Sequence, residues 1–244
     1  MTEAAKPWQA LAARLVDALK PAAPPIALAF LSHIDRSVAR FDAPLAVPNE
    51  YGRTGRVAAG CVFWMKAVDR VFSTVAEDHA NCSVGSFTHG FLSLAEAANH
   101  DDVRAVLDAG WVAPSDMAAL PHLSEKPETV VYGPLASMPV EPDIVLLRLN
   151  GLALMTLKDA VPQLAIEGKP QCHIIPMAKS TGRPVASVGC ALSRARTAMK
   201  AEEMTCALPG TSLADIVASI ESASALDRAM GRYAAADAKR FPGS

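Results

Sequence analysis

Cys61, Cys82, Cys172 and Cys190 are the residues of this 244-residue chain whose chemistry is most specific. A thiolate is a soft ligand that suits zinc, copper(I) or an iron–sulfur cluster, and four of them can enclose a cuboidal cluster. The chain has no Cys-x-x-Cys, the spacing that marks a compact metal motif. The cysteines fall instead into two distant pairs, with intervals of 82 − 61 = 21 and 190 − 172 = 18 residues. The competing reading is that they are small buried hydrophobes, the usual state of a free cysteine. Cys206 lies outside the pairs and reads as structural.

The segment EDHANCSVGSFTHGF, residues 77–91, gathers one of these cysteines with His79, His89 and two glycines. A histidine there can serve as base, ligand or structural donor. Cys190 ends VASVGC and precedes ALSRARTAM, where a strand turns into a helix. Unpaired N–H groups at such a junction stabilise a thiolate, and Arg194 and Arg196 add positive charge. Cys190 or Cys82 is therefore also a candidate nucleophile of a metal-free thiol enzyme. Arg183 in STGRP and the carboxylates of KAEEM read as solvated. No GxGxxG, Walker loop or HExxH is present, so nucleotide and zinc-protease chemistry lack support.

The elements that must position these residues follow from pattern. Trp8, Leu11, Leu15 and Leu19 predict a helix over 6–20, stopped by KPAAPP. IALAFL (26–31), ETVVYGPL, PDIVLLRL (142–149) and RPVASVGC predict strands. Helices are expected over 61–72, 92–99, 101–109, in GLALMTLKDAV, in ALSRARTAMKAEEM, in TSLADIVASIESA and over 223–239, with RFPGS a loose tail. PPIALAFL resembles PDIVLLRL, and each precedes a pair of cysteines. The expected architecture is α/β or α+β: a single domain over 1–244, with a possible repeat of 24–120 in 130–222. Its two similar halves would pack about a pseudo-two-fold axis, with the four cysteines converging near it.

Charge and composition limit the partners. The net charge is −2 and no basic stripe is interleaved with aromatics, which argues against nucleic acid. No apolar run reaches the ~18 residues of a membrane span. The first twenty residues lack the apolar core of a signal peptide, so a cytoplasmic location with reduced thiols is expected.

Taken together, PPIALAFL, GCVFWMKA with NCSVGSFTHG, VVYGPL, EPDIVLLRLNGLALM and SVGCALSRARTAMKAEEMTCALPG resemble the DUF169 family, uncharacterised proteins common in anaerobic bacteria and archaea. The resemblance implies that Cys61, Cys82 and Cys190, with Cys172, match recurring cysteine positions of the family. It implies no reaction. Three functions are carried forward: a protein holding an iron–sulfur centre, or zinc, with a small-molecule pocket; a metal-free thiol enzyme; and a non-catalytic small-molecule binding or sensing domain.

Overall fold

The structure is a computed structural model that describes residues 7–48 and 52–241. The expected tail falls mostly outside these residues, as does the start of the helix expected over 6–20. The first part of the chain runs α1 (Pro7–Leu19), β1 (Ile26–Leu31), α2 (Gly60–Lys66), β2 (Phe72–Thr74), α3 (Ser83–Thr88), α4 (Leu94–Ala98), α5 (Asp101–Asp108), α6 (Pro114–Ala118) and β3 (Thr129–Pro134). The rest runs β4 (Ile144–Leu149), α7 (Gly151–Ala160), β5 (Ala165–Glu167), α8 (Ile174–Thr181), β6 (Val185–Ser187), α9 (Ala191–Thr197), β7 (Met204–Pro209) and α10 (Leu213–Ala238). Among the described residues the strands form one seven-stranded sheet, ordered β2-β3-β1-β4-β7-β6-β5, so the fold is mixed α/β. Neighbouring strands are antiparallel except β5 and β6.

Alternate side chains of a strand point to opposite faces. Ala27, Ala29, Val145, Leu147 and Leu208 belong to a core that includes Leu15 of α1, Leu157 of α7 and Val217 of α10. Ile26, Leu28, Ile144 and Leu146 belong to a second core with Phe63 and Trp64 of α2 and Ile174 and Ile175 of α8. Both faces are covered, which explains why IALAFL and IVLLRL are nearly continuous apolar runs rather than alternating ones. The exception, Arg148, is matched by the buried Glu203, which its Nε reaches at 3.0 Å. A smaller cluster around Phe87, Val103 and Met117 ties α3 to α5 and α6. No helix among the described residues is long and apolar enough to cross a membrane.

Strand register is the same on both sides of the central pair. There β1 meets β4 with Ile26 opposite Leu146, Ala27 opposite Val145 and Leu28 opposite Ile144. On one side Ile26 pairs with Pro134 and Phe72 with Tyr132. On the other, Ile144 pairs with Pro209 and Val185 with Ala207. Past β3, Leu135 N–H donates to Pro25 O at 2.8 Å; past β7, Gly210 N–H donates to Asp143 O at 2.7 Å. Gly210 lies so close to the strand start that a Cβ there would overlap the Pro142 carbonyl oxygen.

Candidate functional site

All four paired cysteines stand where a helix begins. Cys61 is the second residue of α2, and Cys172 lies in the 3-10 turn Gln171–His173 that leads into α8. Cys82 and Cys190 each immediately precede a helix in extended backbone, with φ of −140° before α3 and −131° before α9. The four line one cavity of about 270 Å³ on the α2/α8 side of the sheet. Cys206 is buried in β7 within the core on the other face.

Local interactions fix the walls. Asp78, fully buried, accepts from Arg40 Nη2 at 2.8 Å, from Arg56 Nε at 2.5 Å and from Val75 N–H at 2.9 Å, and so closes the turn that delivers Cys82. Asp102 accepts from Ser83 N–H at 3.0 Å and from Ser83 Oγ at 2.6 Å, which pins the start of α3. Gly60 packs closely on His79: a Cβ there would stand 3.1 Å from its Nδ1, so the buried ring would have to shift to admit a side chain.

The sulfurs of the cavity differ from that of Cys206 in their surroundings. Ser193 N–H donates to Cys190 Sγ at 3.3 Å, and Arg196 Nη1 to Cys82 Sγ at 3.8 Å. The Ser193 hydroxyl, buried with no hydrogen-bond partner among the described residues, favours the Cys61 thiolate. Burial outweighs these donors. It pushes the Cys61 thiol up to about 11 and raises those of Cys82 and Cys172, with mutual repulsion among the would-be thiolates adding to the rise at Cys61 and Cys172. Cys206 is raised by burial alone. As free thiols, Cys61, Cys82 and Cys172 are therefore protonated at neutral pH. Among the described residues no three His, Cys, Asp or Glu side chains are gathered closely enough to hold a single metal ion.

The histidines separate. His89 lines the cavity, whereas His79 sits behind it, with Nε2 2.9 Å from Thr74 Oγ1 and its ring against Phe63, Phe91 and His89. Arg194 is not in the cavity wall. It gives its guanidinium to the carbonyls of Val188, Lys200 and Glu203 at 2.7–2.8 Å and so fastens both ends of α9. Arg196, Gln171, Asp102 and Trp111 do line the cavity. Of these, Arg196 carried a charge signal in the sequence and Gln171 only its place beside Cys172.

Burial holds both histidines neutral. It lowers the His89 pKa to about 4, and that of His79 well below the ordinary value, His89 adding repulsion there. As pH falls through ~6.5 the unfolded chain binds protons that the folded one refuses, so stability drops from ~6.5 down to about 4. The shift at His89 alone corresponds to about 3 kcal/mol. Urea midpoints should fall steeply between pH 6.5 and 5, above the carboxylate range, and His89→Gln should flatten that slope. A midpoint constant across the window would contradict neutral burial.

Residues 14–219 match the family model of DUF169, described as an uncharacterised ArCR. The chain belongs to the DUF169 family. The match spans both cysteine pairs and every strand, so this DUF169 fold includes the whole cavity. No curated protein and no solved structure matches the chain.

Proposed function

We propose that this DUF169 protein holds a soft-metal centre, foremost an iron–sulfur cluster, on Cys61, Cys82, Cys172 and Cys190. The observation that carries the reading is the contrast among its cysteines. Four from distant segments line one cavity, with donors directed at their sulfurs, while Cys206 has neither cavity nor donor. Donors to sulfur stabilise thiolate ligation and tune a cluster's potential. Zinc needs its ligands within about 2.3 Å of one point. Four thiols around a cavity of about 270 Å³ leave room for a body larger than one ion. Loading such a centre removes the thiol protons, so the raised pKa values make binding pH-dependent. The same raised values weigh against Cys82 as the nucleophile of a metal-free enzyme, since the thiolate is the reactive form. Reduced thiols fit a cytoplasmic setting.

The two ligand pairs also fit a duplicated chain. The matching registers relate β1, β2 and β3 to β4, β6 and β7, so each half brings two cysteines to the cavity. A main-chain superposition in which no single rotation overlays the two strand sets overturns the duplication.

The centre itself is tested by anaerobic purification, with iron, sulfide and zinc measured and the visible spectrum recorded. The expected protein is brown. Serine at position 61, 82, 172 or 190 should each lower bound iron about tenfold or more, while Cys206→Ser keeps it. Undiminished metal in all four variants, or no metal in the parent, sinks the proposal.

A further inference from the structure

The cavity also contains polar atoms that the thiols do not explain. His89 Nδ1 lies 2.9 Å from Gly85 O. A carbonyl only accepts, so the ring proton is on Nδ1 and Nε2 carries a lone pair. That Nε2 is buried without a partner, on a residue 1% exposed. Gln171 spends its amide nitrogen on Thr205 Oγ1, and its Oε1, also 1% exposed as a residue, is likewise unpartnered. Two buried acceptors thus line one cavity without a donor, a costly arrangement unless something supplies one.

The rim carries the complementary charge. Arg196 is exposed, and among the described residues its guanidinium is bonded only to the Cys82 sulfur. The cavity's carboxylate, Asp102, is already held by Ser83 and lies 3.6 Å from Arg53. Val106, Trp111 and Leu192 give the remaining wall an apolar character. At about 270 Å³ the space is slightly below the usual ~300–1,000 Å³ of ligand pockets, so it fits a ring-sized molecule.

We propose that the cavity binds a small apolar monocarboxylic acid bearing a hydroxyl group. Its carboxylate pairs with Arg196, its body lies on Trp111 and Leu192, and its hydroxyl donates to His89 Nε2 or Gln171 Oε1. One rim guanidinium without a carboxylate partner balances a single negative charge; a dianionic phosphate, in a cavity that also holds Asp102, would be left undercompensated. The inference stands on the cavity wall and does not require the thiols to be loaded.

Titration calorimetry on the full chain, metal-free and iron-loaded, tests it with 4-hydroxybenzoate, benzoate, 4-hydroxybenzyl alcohol and inorganic phosphate. Binding of 4-hydroxybenzoate is expected, with benzoate and the alcohol each roughly 10- to 100-fold weaker. Arg196→Gln, an exposed position whose fold circular dichroism can check, should weaken 4-hydroxybenzoate by a similar factor and leave the alcohol unchanged. Gln171→Leu or His89→Phe, whichever removes the hydroxyl's acceptor, should narrow the gap between 4-hydroxybenzoate and benzoate. No binding of 4-hydroxybenzoate in either form, equal binding by Arg196→Gln, or tighter binding of phosphate overturns the inference. A protein that holds iron but no aromatic acid loses only this inference; one that binds the acid but never iron loses only the metal centre.

Discussion

Asp78→Ala should destabilise the protein by about 3 kcal/mol, at the lower end for breaking a buried charge pair because Arg40 is partly exposed. Asp78 has no exposed surface, and its carboxylate is the common acceptor of Arg40, Arg56 and the Val75 amide. Removing it leaves Arg56 with its guanidinium turned into a part-buried site and frees the turn before Cys82. For a chain of this size, thermal melting should fall by roughly 6–12 °C. Asp78→Asn retains acceptor capacity and volume, so it should lose less. Because the same turn places Cys82, iron content measured on Asp78→Ala well below its melting point should also fall. A variant that melts with the parent would show that the three donors are satisfied elsewhere.

Gly210→Ala should be at least as damaging. The added methyl would collide with a backbone carbonyl oxygen, that of Pro142, and main chain cannot swing aside as a long side chain does. The Gly210 N–H to Asp143 O bond and the Pro209–Ile144 pairing lie at the same point, so relief would come only by prying β7 from β4. A cost above about 4 kcal/mol is expected, beyond the ~1–3 kcal/mol typical of overpacking because the clash is with backbone. Gly151→Ala is the control: its Cβ would meet nothing within 4 Å, at a helix start. Denaturant midpoints of the two variants should therefore diverge sharply; similar midpoints would contradict the close packing.

The parts of the fold legible in the sequence are those whose signal is local. IALAFL and IVLLRL are uniformly apolar because both sheet faces are covered, and β1 and β4 occupy those residues as read. The helix expected over 61–72 ends at Lys66, because Phe72 is drawn into a strand by Tyr132, sixty residues away. β7 was hidden in the same way: MTCALP follows a charged stretch, and only its place between β4 and β6 makes it a strand. α3 has no counterpart among the expected helices, since Gly85 and three hydroxyl residues are poor helix formers; Asp102 holding the Ser83 amide overrides that preference. The last two expected helices are one, α10, since nothing in SASA breaks the pattern.

The site divides similarly. The paired order of strand and cysteines announced that Cys61, Cys82, Cys172 and Cys190 share a location, and they line one cavity. Which polar side chains surround the sulfurs was not legible. Arg194 and Arg196 are two residues apart and nearly equivalent in text. Gly189, at φ +92°, folds the chain so that Arg194 lies against it and reaches carbonyls, while Arg196 is left for the cavity. Gln171 acquired its role only through Thr205, which β7 brings opposite it.

The central β1–β4 pairing also sets a schedule for synthesis. Cys82 leaves the ribosome 190 − 82 = 108 residues before Cys190, an interval of roughly 5–20 s at ordinary elongation rates. For the first 149 − 82 = 67 residues of that interval β1 has no complete β4 beside it, and until its end the first two thiols lack the full opposing wall. A centre held by all four thiols, as proposed above, is completed only once Cys190 has emerged, and the rim beside Arg196 is then its way in.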